Sequence, residues 1–262
     1  MLGRAVVVFL YFVLVSLFGV FLRWSDVLGD LICFYCSHQQ VPKIYDYVIV
    51  GGGSAGSIIA SRLAEDRSKS VLVLEAGKYD SDLLHIPSMG LLLQNSPYDW
   101  KYKTVPQERA CHGLVNSSSV WPMGKILGGT SMLNNMLYTR GHKQDFDGWF
   151  EKHENYKYSD ILYYYEKLEK HSIFVRDIIF HTVLPEIILS AAEHLGYPIL
   201  DDNMDCEVGY SKPKAVLDEG KRWTTADVLK QNKDENLVIQ LGCMVEKVLF
   251  RDNYEAYGRL VW

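Results

Sequence analysis

The stretch Tyr45-Asp46-Tyr47-Val48-Ile49-Val50-Gly51-Gly52-Gly53-Ser54-Ala55-Gly56 decides the fold. Its first half is a short β-rich run. Its second half sets Gly51, Gly53 and Gly56 at G-x-G-x-x-G spacing. Ser57 to Glu65 follows with Ile58, Ile59 and Leu63 on one apolar stripe, which predicts a helix, and Ser70 to Leu74 predicts a second strand ending at Glu75. Strand, glycine turn, helix and strand in that order predict an α/β, Rossmann-type unit that binds a dinucleotide. Gly51 permits the tight turn, Gly53 lets the backbone approach a pyrophosphate, and Gly56 lets helix and strand pack together. The helix N-terminus presents free N–H groups to that pyrophosphate. Glu75 can accept both ribose hydroxyls, and its charge disfavours a 2′-phosphate and hence NADP. A lone glycine motif is often a chance turn; here it follows a strand, opens a helix and has its acid at the expected distance. It does not separate FAD from NAD, although its place at the start of the globular part and the following Glu75-Ala76-Gly77 lean towards FAD.

The next informative segment is Trp121-Pro122-Met123-Gly124-Lys125-Ile126-Leu127-Gly128-Gly129-Thr130-Ser131-Met132-Leu133-Asn134, continuing as Tyr138-Thr139-Arg140-Gly141 to Asp147. The small residues Gly128 to Ser131 let backbone amides reach a flat ring, where they can stabilise the electron-rich edge of a reduced flavin. Asn134, one helical turn on, can add a side-chain contact. A plain turn at Gly128-Gly129 and a helix cap at Asn134 are the bland alternatives. The segment resembles, without a gap from Gly124 to Asp147, the first signature of the glucose–methanol–choline (GMC) oxidoreductase family, and it looks closest to insect glucose-dehydrogenase-like members. The resemblance implies an FAD-binding domain with part of a second, substrate domain. It also implies cofactor contacts at Gly51, Gly53, Ser54, Ala55, Gly56, Glu75, Ala76, Gly124, Leu127, Gly128, Gly129, Thr130, Ser131 and Asn134. The backbone at Val245 is expected near the adenine.

Weaker matches continue the resemblance. Tyr98-Asp99-Trp100 is similar to the segment before the flavin signature. Leu195-Gly196-Tyr197-Pro198 looks like the start of the substrate domain, and Arg222-Trp223-Thr224-Thr225-Ala226 like an R-x-[ST]-[ST]-A helix start. Asn236 to Ile239 and Met244 to Val248 look like paired strands near the adenine. Three departures stand out. Met123 replaces the usual Arg. His171 to Glu186 is short and apolar where the family has a Gly-rich segment. The chain also ends at Trp262, whereas family members run to about twice this length. The family's catalytic His, with its His or Asn partner, has no match here. The eight histidines (His38, His85, His112, His142, His153, His171, His181 and His194) show no partner pattern. No catalytic residue is assigned, and no metal site.

Working outward, Ala5 to Leu22 is an apolar run between Arg4 and Arg23. It reads as a secretory signal or, uncleaved, as a membrane anchor over residues 5–22. Both place the rest in the secretory pathway, extracellular or membrane-anchored, where Asn116-Ser117-Ser118 is a glycosylation sequon. Cys33 and Cys36 have metal-like spacing but no second pair, and the count of five cysteines is odd. A net charge of −5 with no basic run excludes an electrostatic footprint for nucleic acid. The expected organisation is 1–43 targeting segment and linker, 44–150 FAD-binding core and flavin edge, 151–200 helical, and 201–262 returning strands, truncated. Tyr158 to Leu168 and Leu184 to Leu195 are amphipathic runs whose stripes read as core packing. The functional expectation is an FAD-dependent oxidoreductase acting on CH–OH groups of a small alcohol or sugar. The alternatives are a non-catalytic FAD-binding remnant and an NAD-dependent dehydrogenase.

Overall fold

A computed structural model describes residues 44–79, 82–151, 156–178, 182–200, 208–231 and 235–261, with isolated helical positions at Val13, Leu17 and Val20. The Ala5–Leu22 run, Cys33, Cys36, Cys206, His38, His153 and His181 therefore lie outside the described residues, apart from those three positions. No helix among the described residues is long and apolar enough to cross a membrane.

The predicted βαβ unit is present. Strand β1 (Tyr47–Val50) pairs in parallel with β2 (Val71–Leu74), Tyr47 opposite Val71 and Val50 opposite Leu74. Helix α1 (Ser54–Ala64) crosses between them. It begins three residues earlier than the apolar periodicity indicates, because Gly53 already occupies its N-cap. A third parallel strand, β9 (Leu237–Gln240), closes the other side of β2. All four residues of β2 are buried, as a central parallel strand covered on both faces requires. The buried face of α1 is made of Ser57, Ala60 and Ala64. Such small side chains let the helix lie close against helix α6 (Thr225–Gln231), whose Ala226 and Leu229 join the same core with Ile126, Leu127 and Met132. Each large apolar side chain buried there contributes about 1.5–3 kcal/mol.

Strand β1 is the outer strand of this sheet, and Val50 on it is 55% exposed. That is unusual for a parallel sheet, whose strands are normally flanked and covered.

A second, antiparallel sheet lies beyond the first. Strands β3 (Tyr102–Lys103) and β4 (Val120–Trp121) form a small ladder of their own. Strands β5 (Leu137–Tyr138) and β6 (Val175–Asp177) flank β7 (Lys214–Asp218), which turns into β8 (Lys221–Arg222). Residues 214–222 thus belong to the second sheet, and the return to the nucleotide layer starts at α6. Three further helices accompany these sheets: α2 (Met89–Leu92), α3 (Lys143–Phe150) and α4 (Tyr158–His171). Glu169 of α4 accepts Tyr138 Oη at 2.5 Å and both Arg140 Nε and Nη2, fastening α4 to β5. Arg140 holds the Glu169 carboxyl below its ordinary value, while burial and that charge push the Tyr138 phenol up.

Two expectations are corrected. The apolar faces of α4 and of α5 (Leu184–His194) are not core: no residue of α4 is fully buried and only Ala192 of α5 is. The described part of the chain places no layer over them. The segments 236–239 and 244–248 are not paired with each other either. Strand β9 pairs β2, and β10 (Val245–Phe250) pairs β11 (Ala256–Val261). Gly242 at φ +67 turns the chain between them. Its amide, with that of Cys243, is held by the carbonyls of Gly77 and Glu75.

Candidate functional site: a dinucleotide cleft

The carboxyl ends of β1 and β2 open into a cleft of about 380 Å³, where parallel α/β sheets place their ligands. Gly51 sits there at φ +94, a conformation that glycine adopts at no steric cost. Helix α1 has Gly53 as N-cap, makes no side-chain cap bond and has no acidic residue in its first turn. Its leading amides and positive dipole end are therefore available to an anion. Gly56 is a packing residue: a Cβ there would lie 2.0 Å from Gly51 O. Ala55 stands exposed beside the cleft on the same turn.

Glu75 lies at the end of β2. Its Oε2 accepts Gly52 N at 2.7 Å and its Oε1 accepts Gly77 N at 2.8 Å. Burial raises its carboxyl above the ordinary value, against the pull of those amides and of Lys125. Ala76, Trp100 and Lys125 continue the wall into an adjoining cavity of about 530 Å³. Trp100 stacks on Tyr102 at 5.7 Å, and Lys125 Nζ lies over the Trp100 ring. Met123, at the position where the sequence departs from Arg, lines the cleft and donates its amide to Asp99 Oδ1 at 2.9 Å. Val245 closes the far wall.

The flavin-edge segment meets the glycine loop directly. Gly128 N donates to Gly52 O at 2.7 Å. Gly129 faces Gly53 so closely that a Cβ on Gly129 would stand 2.6 Å from Gly53 Cα. Gly124 is equally confined, 2.2 Å from Gly129 O by the same measure. Nine of the fifteen predicted contact residues line the cleft: Gly51, Gly53, Ser54, Glu75, Ala76, Gly124, Gly129, Thr130 and Val245. The other six lie beside or beneath it. Leu127 is wholly buried under Gly52. The amides of Gly128 and Gly129 are already taken by Gly52 O and Ile126 O, and Ser131 lies inside the 3-10 turn that Gly128 caps, which leaves the Thr130 amide for a ring edge. Asn134 Oδ1 is likewise occupied, by Arg222 Nη1 at 2.9 Å and Met136 N at 3.1 Å.

Sequence reasoning missed the residues that brace this turn. Arg222 is 1% exposed, and its Nη1 bridges Ser131 O and Asn134 Oδ1. No carboxylate among the described residues pairs with it, and burial lowers its pKa. Thr225 Oγ1 donates to Gly128 O at 3.2 Å, an atom that also accepts Ser131 Oγ. The Arg222-Trp223-Thr224-Thr225 match carried this signal, but as a helix start. His85 pairs its Nδ1 with Arg222 O at 3.0 Å. A separate cavity of about 670 Å³ lies away from the glycine loop, between α4, β6, β7 and α6. Its wall runs from His171 to Asp177, where the sequence lacks the Gly-rich segment.

An open parallel sheet with this glycine loop, uncapped helix and terminal acid defines a dinucleotide-binding α/β protein. The sequence profile of the GMC oxidoreductase family matches residues 45–260, and the chain belongs to that family. Among curated relatives, Drosophila melanogaster glucose dehydrogenase [FAD, quinone] is 33% identical over 223 residues, 78% of this chain and 36% of that protein. Mouse mitochondrial choline dehydrogenase is 34% identical over 234 residues, 79% of this chain and 38% of that protein. Among solved structures, pyridoxine 4-oxidase from Mesorbium loti superposes with a TM-score of 0.70 at 28% identity, covering 80% of this chain and 44% of that one. A formate oxidase gives 0.66 at 28% identity, covering 80% and 40%. The chain spans less than half the length of these relatives.

Proposed function

We propose that this chain is the cofactor-holding part of an FAD-dependent oxidoreductase that acts on the CH–OH group of a small alcohol or sugar-type donor. The observation that carries the reading is the seam between the two glycine segments. Gly53 and Gly129 face each other across the cleft with no side chain between them, beside an uncapped helix N-terminus and a buried carboxylate. That arrangement fits FAD from end to end. Glu75 would take the ribose hydroxyls, the amides from Ser54 onward would take the pyrophosphate, and the backbone at Val245 would meet the adenine. The Thr130 amide, with Asn134 Nδ2 from the side, would be left to meet the ring edge. When bound, FAD supplies a hydride acceptor for the carbon that carries the hydroxyl. Around it the chain's own groups bind and orient; Arg222 and Thr225 keep the Gly128–Ser131 turn in place.

Among the described residues no histidine lines the cleft to take the hydroxyl proton. We place that base in a further segment of the protein, as the relatives' greater length and the open edge of β1 both suggest. The same open edge supports a second reading, in which the 262-residue chain by itself binds FAD without turning over. The names of the relatives point to donors such as glucose, choline or pyridoxine, and the apolar run at Ala5–Leu22 supports a route through the secretory pathway. Anaerobic addition of candidate alcohols and sugars to the natural protein tests the leading reading. Bleaching of the flavin by one of them supports it. A flavin that none of them reduces, in a protein that immunoblots at the 30.0 kDa of this chain, supports the second.

A further inference from the structure

Asn116-Ser117-Ser118 is the one Asn-x-Ser/Thr sequence in the chain with x other than proline, and nothing in the cofactor cleft uses it. It lies in the long loop between β3 and β4, residues 104–119. Asn116 occupies a left-handed turn, φ 56 and ψ 28, inside the short 3-10 segment Val115–Ser117. Local bonds shape this turn: Leu114 N to Cys111 O, Ser117 N to Leu114 O, and Gln107 N to Ser117 O. The turn therefore stands ready in the folded chain and needs no opening to become accessible. The Asn116 side chain is exposed and makes no hydrogen bond among the described residues. Ser118 Oγ donates to Asn116 O at 3.2 Å, so the hydroxyl that the tripeptide needs lies beside the asparagine and not in the core. The neighbouring Val115 is 86% exposed, and Leu114 is half exposed. Two large apolar side chains in water at a loop tip are a liability that a bulky, solubilising sugar would cover.

We infer that Asn116 carries an N-linked glycan, an inference that rests on the proposed route through the secretory pathway. The donor class is an oligosaccharide joined to a membrane lipid through a diphosphate. Asn116 Nδ2 bonds to the anomeric carbon of the first sugar and loses one proton. The bond from that carbon to the lipid diphosphate breaks, and the diphosphate leaves with the electron pair. The β3–β4 ladder at Tyr102–Lys103 and Val120–Trp121 lies between this tip and the cleft residues Trp100 and Met123, so the modification leaves FAD binding untouched.

Translation of the full chain in the presence of microsomes tests the proposal with two independent readouts. Resistance to added protease reports entry into the lumen, and a mobility shift reversed by an amidase that removes N-glycans reports the sugar. We expect a protected chain with a single reversible shift. The shift is lost in Asn116→Gln and Ser118→Ala, and kept in Ser117→Ala and Ser118→Thr. A protected chain without the shift overturns the glycan while leaving the route standing. A chain that stays protease-sensitive overturns both.

Discussion

Gly53 and Gly129 touch across the cleft, yet the structure assigns them different costs on substitution. In Gly129→Ala the new Cβ stands 2.6 Å from Gly53 Cα, and the residue must also hold φ +57. A left-handed L-residue costs about 1–2 kcal/mol, and a backbone contact that close forces the two segments apart, for which overpacking adds about 1–3 kcal/mol. The expected loss of folding stability is about 2–5 kcal/mol, and the Gly128 N to Gly52 O bond is lost with it. In Gly53→Ala the Cβ has 3.7 Å to its nearest neighbour, and the backbone at φ −83 and ψ −163 suits alanine. Its stability should stay within about 1 kcal/mol of the parent, since the weaker N-cap and the stiffer unfolded chain oppose each other. FAD binding should nevertheless weaken at least about tenfold, equivalent to about 1.4 kcal/mol, if the cofactor lies against Gly53 as proposed. Urea unfolding of the cofactor-free protein and FAD titration by fluorescence quenching measure the two quantities on the same samples. A Gly53→Ala protein that binds FAD like the parent refutes the placement of the cofactor beside this seam, and a Gly129→Ala protein of parental stability refutes the close contact of the two segments.

Three further outcomes follow from the side chains around it. Burial holds the Glu75 carboxyl above 4.5, and only the ionised form accepts from both ribose hydroxyls. FAD affinity should therefore rise with pH through that elevated value and then level off, and Glu75→Gln should bind weakly with little pH dependence. In the cofactor-free protein the sign reverses: the unfolded chain gives up this proton first, so Glu75's effect on stability turns less favourable as pH rises from 4.5, as urea midpoints across pH will record. Arg222→Lys cannot reach Ser131 O and Asn134 Oδ1 together; a loss of about 1–3 kcal/mol is expected from urea unfolding, and parental stability would remove Arg222 as the brace. Glu169→Gln should cost about 1–2 kcal/mol near neutral pH, less than a fully buried charged pair because both partners keep some solvent contact. Glu169 has a lowered pKa, so this difference should be complete above 4.5 and shrink as pH falls below it, which paired pH–stability curves will reveal.

What was legible in the sequence is what is local in the chain. The run from Tyr47 to Leu74 holds strand, glycine turn, helix and strand within 28 consecutive residues, and its glycines act where their spacing placed them: Gly51 at positive φ, Gly56 against Gly51 O. Glu75 was found because its separation from the glycines is part of the pattern. The bracing of the flavin-edge turn was hidden by distance, since Arg222 and Thr225 reach Ser131 and Gly128 across 91 and 97 residues. Which amides of that turn remain free was also unreadable, because it depends on Gly52 O arriving from the other glycine segment. The stripe on α5 misled for a related reason. Periodicity reports that a face wants covering, and Leu195 at its end is 74% exposed in the described structure. The pairing expected between 236–239 and 244–248 failed at Gly242, whose φ +67 sends the chain away from the sheet.

The proposed function requires FAD in the cleft that the Gly53–Gly129 contact borders. The most direct test is to purify the natural protein, release its bound small molecules by heat and quantify flavin against protein, then repeat the measurement on the Gly129→Ala variant. The account predicts one FAD per chain, no NAD, and loss of the flavin in the variant. Protein that retains NAD in place of flavin, or a variant that keeps its full FAD content, would contradict it.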